Sequence, residues 1–375
     1  MVDVKTGRPY LCFFGFLIFL LGGCAKSPSK APQFPAPSVT DDGWEVSTPA
    51  GQHIDTQKLA AAFSWLKKDS LGTHIQTLTL IRNGKLVYDG FFHPGPYAFR
   101  QGELTTIQSV SKSFTALAVG IAIDKKWLSG TEQTVEILLP HLEGVSWTEE
   151  KSRITLADLL TMRAGLQGNE ETDSLLPAGY ARYVFSHPMA ALPGTVFNYR
   201  TALTNAFWDV LNVSLKSKRI TPEKFMDSLL FRSLQIKKYD WRYKNKQGQA
   251  ELGGGLFLAP RDMAKLGQLI LTGGRWNGKQ VVSSSWMEKA TKAQVHFSPR
   301  YWGQFDGYGF LFWRRIFYVN GASYKGIIAL GYGGQYVVAI PRLHCVVAIT
   351  SWFPEDKGWD FPLVFVEDKI LPAFR

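Results

Sequence analysis

Apart from Lys112, residues 110–123 (Val-Ser-Lys-Ser-Phe-Thr-Ala-Leu-Ala-Val-Gly-Ile-Ala-Ile) are apolar or small on almost every helical face. A helix of that kind needs cover all round, so the chain must build a fold in which one central helix is buried by its neighbours. With 375 residues it has the length to do so, as one large domain or two coupled ones. The composition, 45% apolar and 19% charged, is that of a folded protein and excludes a disordered one.

Other elements follow from periodicity. Leu59, Ala62, Phe63 and Leu66 recur at helical spacing within 54–68, which predicts an amphipathic helix. Residues 78–90 are two β-rich runs around Asn83-Gly84, a strong hairpin signal. Residues from about 131 to 250 mix short helical patterns with Pro and Gly breaks and carry little strand signal, so a mostly helical insert is expected. Pro260 to Leu271 is a further helix. Strand-like runs follow at 308–313, 316–319, 324–330, 336–340 and 345–351, and their short turns predict an antiparallel meander. A last helix is expected near 360–371. The expected organisation is a sheet domain from 44–130 and 250–375, with a helical subdomain at 131–249.

The N-terminus has the pattern of an export signal. Lys5 and Arg8 precede an apolar run from Leu11 to Leu21, which is too short to span a bilayer comfortably. The run ends in Leu21-Gly-Gly-Cys24, which resembles a bacterial lipobox and makes Cys24 the expected lipid-attachment site. This predicts a signal peptide at 1–23 and an exported, membrane-anchored lipoprotein. Ala25, where Asp would favour inner-membrane retention, directs that expectation to the periplasmic side of the outer membrane. The Pro-, Ser- and Ala-rich stretch 24–43 reads as a flexible tether. Of three cysteines only Cys345 falls in the expected domain, so no disulfide framework is possible there. Cys345 is expected to be a small buried hydrophobe in its strand, with His344 pointing away from it. The net charge of +11 is scattered, without the aromatic-interleaved stripe that a nucleic-acid surface requires.

Ser-x-x-Lys occurs three times, at Ser27–Lys30, Ser64–Lys67 and Ser109–Lys112. The first lies in the tether and the second on the solvent side of an amphipathic helix. The third stands where Thr105-Thr-Ile-Gln-Ser109 enters the apolar helix. Free N–H groups at a helix head stabilise a developing oxyanion, and residues three apart share a face, so an amine can reach the hydroxyl. Burial disfavours the charged form of an amine, as a base requires. The competing reading of Ser109 is a helix cap, and of Lys112 a surface residue. Gly-x-Ser-x-Gly is absent and no His holds a suggestive position, which sets aside a Ser-His-Asp triad; the seven histidines are dispersed without metal spacing, and no metal and no cofactor is expected.

The blocks Ser109-Val-Ser-Lys112-Ser-Phe-Thr, Ile154 to Leu166, Pro193-Gly-Thr-Val-Phe-Asn-Tyr199, Leu230 to Ile236, Gly253 to Met263 and Gly331-Tyr-Gly-Gly-Gln335 occur in order. Together they resemble the serine β-lactamase-related hydrolases, a family that includes class C β-lactamases, penicillin-binding carboxypeptidases, esterases and 6-aminohexanoate-oligomer hydrolases. The resemblance covers roughly 44–375. It implies a β-lactamase/transpeptidase-like α/β (α+β) fold, an antiparallel sheet flanked by helices with an inserted, mostly helical subdomain. It makes Ser109 the nucleophile, Lys112 its base and Tyr199 the group that passes a proton to the leaving group.

Two departures narrow the substrate. Thr201 stands where many members carry an Asn that orients the substrate carbonyl. The segment Gly331-Tyr332-Gly333-Gly334-Gln335 stands where β-lactamases carry Lys-Thr-Gly, so the cation that binds a β-lactam carboxylate is missing. The resemblance implies that Gly333, Gly334 and Gln335 border the substrate, with the Gly334 N–H and that of Ser109 as oxyanion donors. Arg200 is expected in a surface salt bridge. The expected activity is hydrolysis of a small or short-peptide amide or ester. The alternative is a catalytically silent peptidoglycan- or peptide-binding lipoprotein of the same fold.

Overall fold

A computed structural model of the chain describes residues 31–93, 103–173, 176–298, 304–353 and 358–374. The expected signal peptide, Cys24 and Ser27–Lys30 lie outside the described residues. Residues 32–375 form one compact unit.

The N-terminal helix α1 (Thr56–Leu66) is capped by Asp55, whose carboxylate accepts from the N–H groups of Gln57 and Lys58. It leads to the hairpin β1 (Ile75–Arg82) and β2 (Lys85–Phe91). Asn83 and Gly84 both have positive φ, 52° and 77°, as the tight turn between them requires. After β3 (Thr105–Thr106) comes the buried helix α2 (Val110–Asp124).

Short helices follow: α3 (Val135–Leu138), α4 (Glu149–Ser152), α5 (Leu156–Leu160), α6 (Tyr180–Ser186), α7 (Thr201–Asn205), α8 (Phe207–Ser214) and α9 (Pro222–Met226). Strands β4 (Tyr239–Trp241) and β5 (Leu256–Leu258) join β3 in a three-stranded sheet, order β3-β5-β4. This small sheet ties the helical segment to the strand that precedes α2. Then come α10 (Pro260–Leu271), the small hairpin β6 (Arg275–Trp276) and β7 (Lys279–Gln280), and α11 (Ser284–Thr291).

The main sheet is completed by β8 (Val295–His296), β9 (Gly307–Tyr308), β10 (Trp313–Val319), β11 (Ala322–Gly331), β12 (Gln335–Ile340) and β13 (Cys345–Ser351). Its eight strands run in the order β2-β1-β13-β12-β11-β10-β9-β8, with every pairing antiparallel. Strands β12 and β13 are buried along their whole length, so both faces are covered. On one face Gly267 brings the α10 backbone close to Val346 and Val337. Tyr336, opposite by alternation, donates its hydroxyl to the Trp359 carbonyl (2.9 Å), just before the last helix, Phe361–Phe365. Trp65 of α1 stacks on Phe361 and Phe365 of that helix. Among the described residues no helix is long and apolar enough to cross a membrane.

Three sequence expectations change. The run 308–313 is not one strand: Leu311 has a positive φ of 61°, and the chain breaks between β9 and β10. His344 lies in an exposed turn with positive φ (43°) rather than on the strand. The described part of the tether is anchored, with Phe34 packed edge-on against Phe63 and Tyr88.

Helix α2 approaches α11 closely at Gly120, where a methyl group would lie 2.3 Å from Cδ1 of Trp286. The obstacle is the ring of a residue only 5% exposed. Gly120→Ala is therefore expected to destabilise the protein by about 1–3 kcal/mol, despite the roughly 1 kcal/mol that Ala contributes in a helix. Urea unfolding measures it; a stabilised variant would mean that α11 moves freely.

Candidate active site

The loop entering α2 places Ser109 at its head. Gln108 has a positive φ of 48°, unusual for a side chain with a Cβ and held by its neighbours: Thr106 Oγ1 accepts its N–H (3.3 Å) and Ser111 Oγ donates to its carbonyl (2.6 Å). Ser109 occupies the N-cap position just before α2, yet its side chain makes no capping bond. The cap reading of Ser109 is thereby excluded.

The neighbouring hydroxyls are engaged elsewhere. Ser113 Oγ donates to the Leu311 carbonyl (2.6 Å), and Thr115 Oγ1 to that of Leu252 (2.9 Å). Ser109 Oγ instead meets Lys112 Nζ at 2.7 Å. The surface reading of Lys112 is excluded as well, since the residue is 1% exposed. Its Nζ also reaches Thr201 Oγ1 (2.8 Å) and the Gly253 carbonyl (2.9 Å), and lies 5.0 Å from the centroid of the Tyr199 ring. Three acceptors satisfy the three protons of an ammonium. In the neutral amine two of those positions still hold N–H groups on Thr201 and Gly253. The remaining lone pair then points at Ser109, which is the geometry of a base.

Tyr199 is set by its two neighbours. Asn198 donates its N–H to the Met162 carbonyl (2.8 Å) and its side-chain amide to that of Gly168 (2.9 Å). Arg200 is not in a surface salt bridge, as its sequence context suggested. It is 0% exposed and forks onto Asp173 with two bonds of 2.6 Å, while also donating to the carbonyls of Leu166 and Gln167. A methyl at Gly168 would lie 2.6 Å from that guanidinium, so the loop needs glycine there. With both neighbours anchored, Tyr199 faces Lys112. Its ring rests against Trp313 (5.5 Å) and Tyr308 (6.4 Å).

Comparison with known proteins agrees with this geometry: the beta-lactamase family model matches residues 76–358. The chain belongs to the beta-lactamase family of hydrolases. It is 22% identical over 341 residues to the 6-aminohexanoate-dimer hydrolase of Paenarthrobacter ureafaciens, an alignment spanning 84% of this chain and 82% of that one. Similar solved structures include a penicillin-binding protein homolog from Caulobacter crescentus, with TM-score 0.65 and 15% identity over 84% of this chain and 98% of that one. A family VIII carboxylesterase gives TM-score 0.65 and 15% identity over 88% and 99%. Both likenesses show the β-lactamase/transpeptidase-like fold.

Against this family's pattern, the segment Gly331–Gln335 is arranged differently from expectation. It forms the hairpin between β11 and β12, and the Gly334 N–H donates to the Gly331 carbonyl (3.2 Å) within the turn, so it is not available as an oxyanion donor. Gln335, 1% exposed, spends its side chain on Ser351 and the Tyr332 carbonyl rather than facing a substrate. The Gly333 carbonyl accepts from Phe353 N–H (3.1 Å) and Ser351 Oγ (3.0 Å). Gly331 packs against the turn that enters α2: a methyl there would lie 2.5 Å from the Ile107 carbonyl and 3.0 Å from Gln108 Cβ. Pairing of β10 with β11 ends at Ile328, leaving residues 329–331 without a strand partner on that edge among the described residues. Thr201 is likewise turned inward, 3% exposed, supporting Lys112 instead of a substrate carbonyl.

Sequence reasoning did not find Glu170, Asn205 or Glu251. Glu170 accepts both the N–H and the hydroxyl of Thr201. Asn205 Oδ1 accepts the Gly253 N–H (2.7 Å). Glu251, 5% exposed, has its carboxyl pushed up from 4.5 to about 7 by burial, opposed by Lys112 and Asn205 and reinforced by Glu170. Beyond Thr106 a cavity of about 580 Å³ is lined by Thr105, Lys238, Arg242, Tyr243, Phe257 and Trp352, among others.

The raised Glu251 carboxyl makes a pH prediction. Between pH 4.5 and 7 the folded protein holds a proton that the unfolded chain has released, so this group's favourable contribution is complete below about 4.5 and declines as pH rises through 7. The total loss is about 3 kcal/mol. Glu251→Gln has no such titration. Its unfolding free energy relative to wild type should therefore rise between pH 4 and pH 8, and a constant difference would contradict the assignment.

Proposed function

We propose that the protein is a serine hydrolase that cleaves an amide or ester through an acyl-Ser109 intermediate. The observation that carries this reading is the 2.7 Å contact between Ser109 Oγ and a buried Lys112 whose other two positions are held by Thr201 and Gly253. As the Oγ–carbon bond forms, the Ser109 proton passes to Lys112 Nζ and the carbonyl electron pair moves to oxygen. The Ser109 N–H and the positive end of the α2 dipole favour that charge, the N–H groups of Val110, Ser111 and Lys112 being taken by the carbonyls of Ile107, Gln108 and Ser109. Tyr199, next to Lys112, gives its hydroxyl proton to the departing nitrogen or oxygen and recovers one from Lys112. Water then reverses the sequence to release the acid.

The substrate we infer is a small or short oligomeric amide or ester rather than a β-lactam. Residues 44–375 contain no Lys-Thr-Gly tripeptide, whose cation would hold the carboxylate of such a ring. The 6-aminohexanoate-dimer hydrolase and the carboxylesterase among the similar proteins support the same classes.

Hydrolysis of short-chain p-nitrophenyl esters, followed with intact-protein mass, tests the reading. Wild type should turn over and show one added acyl group. Ser109→Ala should do neither, and Tyr199→Phe should slow acylation by about 10²–10⁴-fold. Turnover by Ser109→Ala at the wild-type rate would overturn the proposal.

A further inference from the structure

Glu170 lies on the loop between α5 and α6, and its carboxylate makes no ion pair among the described residues. Both of its oxygens are engaged by one residue, Thr201: Oε2 accepts the Thr201 N–H and Oε1 the Thr201 hydroxyl. Thr201 Oγ1 in turn accepts from Lys112 Nζ (2.8 Å), which meets Ser109 Oγ (2.7 Å). A threonine hydroxyl has one proton, and here Glu170 takes it. Its lone pairs are then left for Lys112.

We propose that Glu170 is the positioning residue of this site, fixing the direction of the hydrogen-bond chain so that the lone pair of neutral Lys112 faces Ser109. The inference rests on the acyl-Ser109 reading. Read from the nucleophile, the chain runs Ser109 O–H to Lys112 Nζ, Lys112 N–H to Thr201 Oγ1, and Thr201 O–H to Glu170 Oε1. Were the Thr201 hydroxyl turned round, its proton would compete for the amine lone pair and Lys112 would lose its grip on Ser109. In the acylation step only one proton moves, from Ser109 Oγ to Lys112 Nζ. Glu170 keeps its negative charge, and that charge stabilises the ammonium through Thr201. A carboxylate supports the histidine of a serine triad in the same way.

The surroundings fit an anion held for this purpose. The Thr201 N–H is at the start of α7, where a backbone donor has no partner within its own helix, and Glu170 supplies one. Arg200, the cation next to Thr201 in sequence, is committed to Asp173 (2.6 Å) and does not draw Glu170 away. The charged and titratable groups around the chain are Lys112 on α2, Tyr199 and the Arg200–Asp173 pair beside α7, Glu251 before β5, and Tyr308 on β9. The Tyr308 hydroxyl is pushed well up by burial, then by Tyr199 and Glu170.

The test is the second-order rate of Ser109 labelling by a fluorophosphonate, measured across pH 5–10 on the full chain. The variants are Glu170→Gln, Thr201→Val and the double variant, each checked for folding by circular dichroism. Glu170→Gln should label about 10- to 100-fold more slowly at pH 7, the range expected for a hydrogen bond to a charged group. Its rising limb should move to lower pH, because the ammonium form has lost its anion. Thr201→Val cuts the same chain, so the double variant should be no slower than Thr201→Val alone. A wild-type rate and unchanged pH profile in Glu170→Gln would overturn the proposal, as would a double variant whose losses multiply. If Glu170→Gln does not fold, Glu170→Asp replaces it: its shorter side chain should give a slowed rate with the limb unmoved, since the charge remains, and a wild-type rate would overturn the proposal. Failure of the acyl-enzyme reading itself is distinct, because then wild type and Ser109→Ala would label alike.

Discussion

A buried amine held by three acceptors organises this molecule. Lys112 is 1% exposed and sits on a helix that is otherwise apolar, so its polar head must be satisfied inside the protein. Each acceptor comes from a different part of the chain: Ser109 from the head of α2, Thr201 from the start of α7 and Gly253 from the turn before β5. The short sheet β3-β5-β4 and the helices after α2 therefore have to meet at one point. One buried nitrogen thus draws its partners from three segments that a continuous apolar core packs together.

That arrangement is braced by a second layer of buried polar groups. The Arg200–Asp173 pair is fully enclosed, and a pair of this kind contributes little to net stability while costing much if broken. Its position next to Tyr199 and Thr201 suits a role in fixing backbone direction, since a shift of Arg200 would move both site residues together. Asn205 anchors the Gly253 amide, so the carbonyl of the same residue stays aimed at Lys112. Glycine at 253 is demanded by space, because a methyl there would lie 2.7 Å from Thr201 Cγ2.

Much of this was legible in the sequence. The all-round apolar pattern marks α2 as central, and the three-residue spacing puts Ser109 and Lys112 on one face. The strand-like runs 336–340 and 345–351 correspond closely to β12 and β13. What could not be read is tertiary. Glu170 is 31 residues from Thr201, and Glu251 lies far along the chain from Lys112, with no periodicity linking either pair. Arg200 looked like a surface residue because a charge in a loop usually is one; its partner Asp173 lies 27 residues away. The Gly331–Gln335 stretch was misread as an edge offered to substrate. Its glycines instead serve a turn packed against residues 351–353, where a methyl at Gly334 would lie 2.3 Å from Ser351 Oγ.

The central claim is that Lys112 makes Ser109, alone among the clustered hydroxyls of α2, a nucleophile. Tryptic peptide sequencing of the fluorophosphonate-treated protein by tandem mass spectrometry tests it most directly, because Ser109, Ser111 and Ser113 are resolved by their fragment ions. The account predicts a single adduct on Ser109 that disappears in Lys112→Ala. An adduct on Ser111 or Ser113, or one on Ser109 that persists undiminished without Lys112, would contradict it.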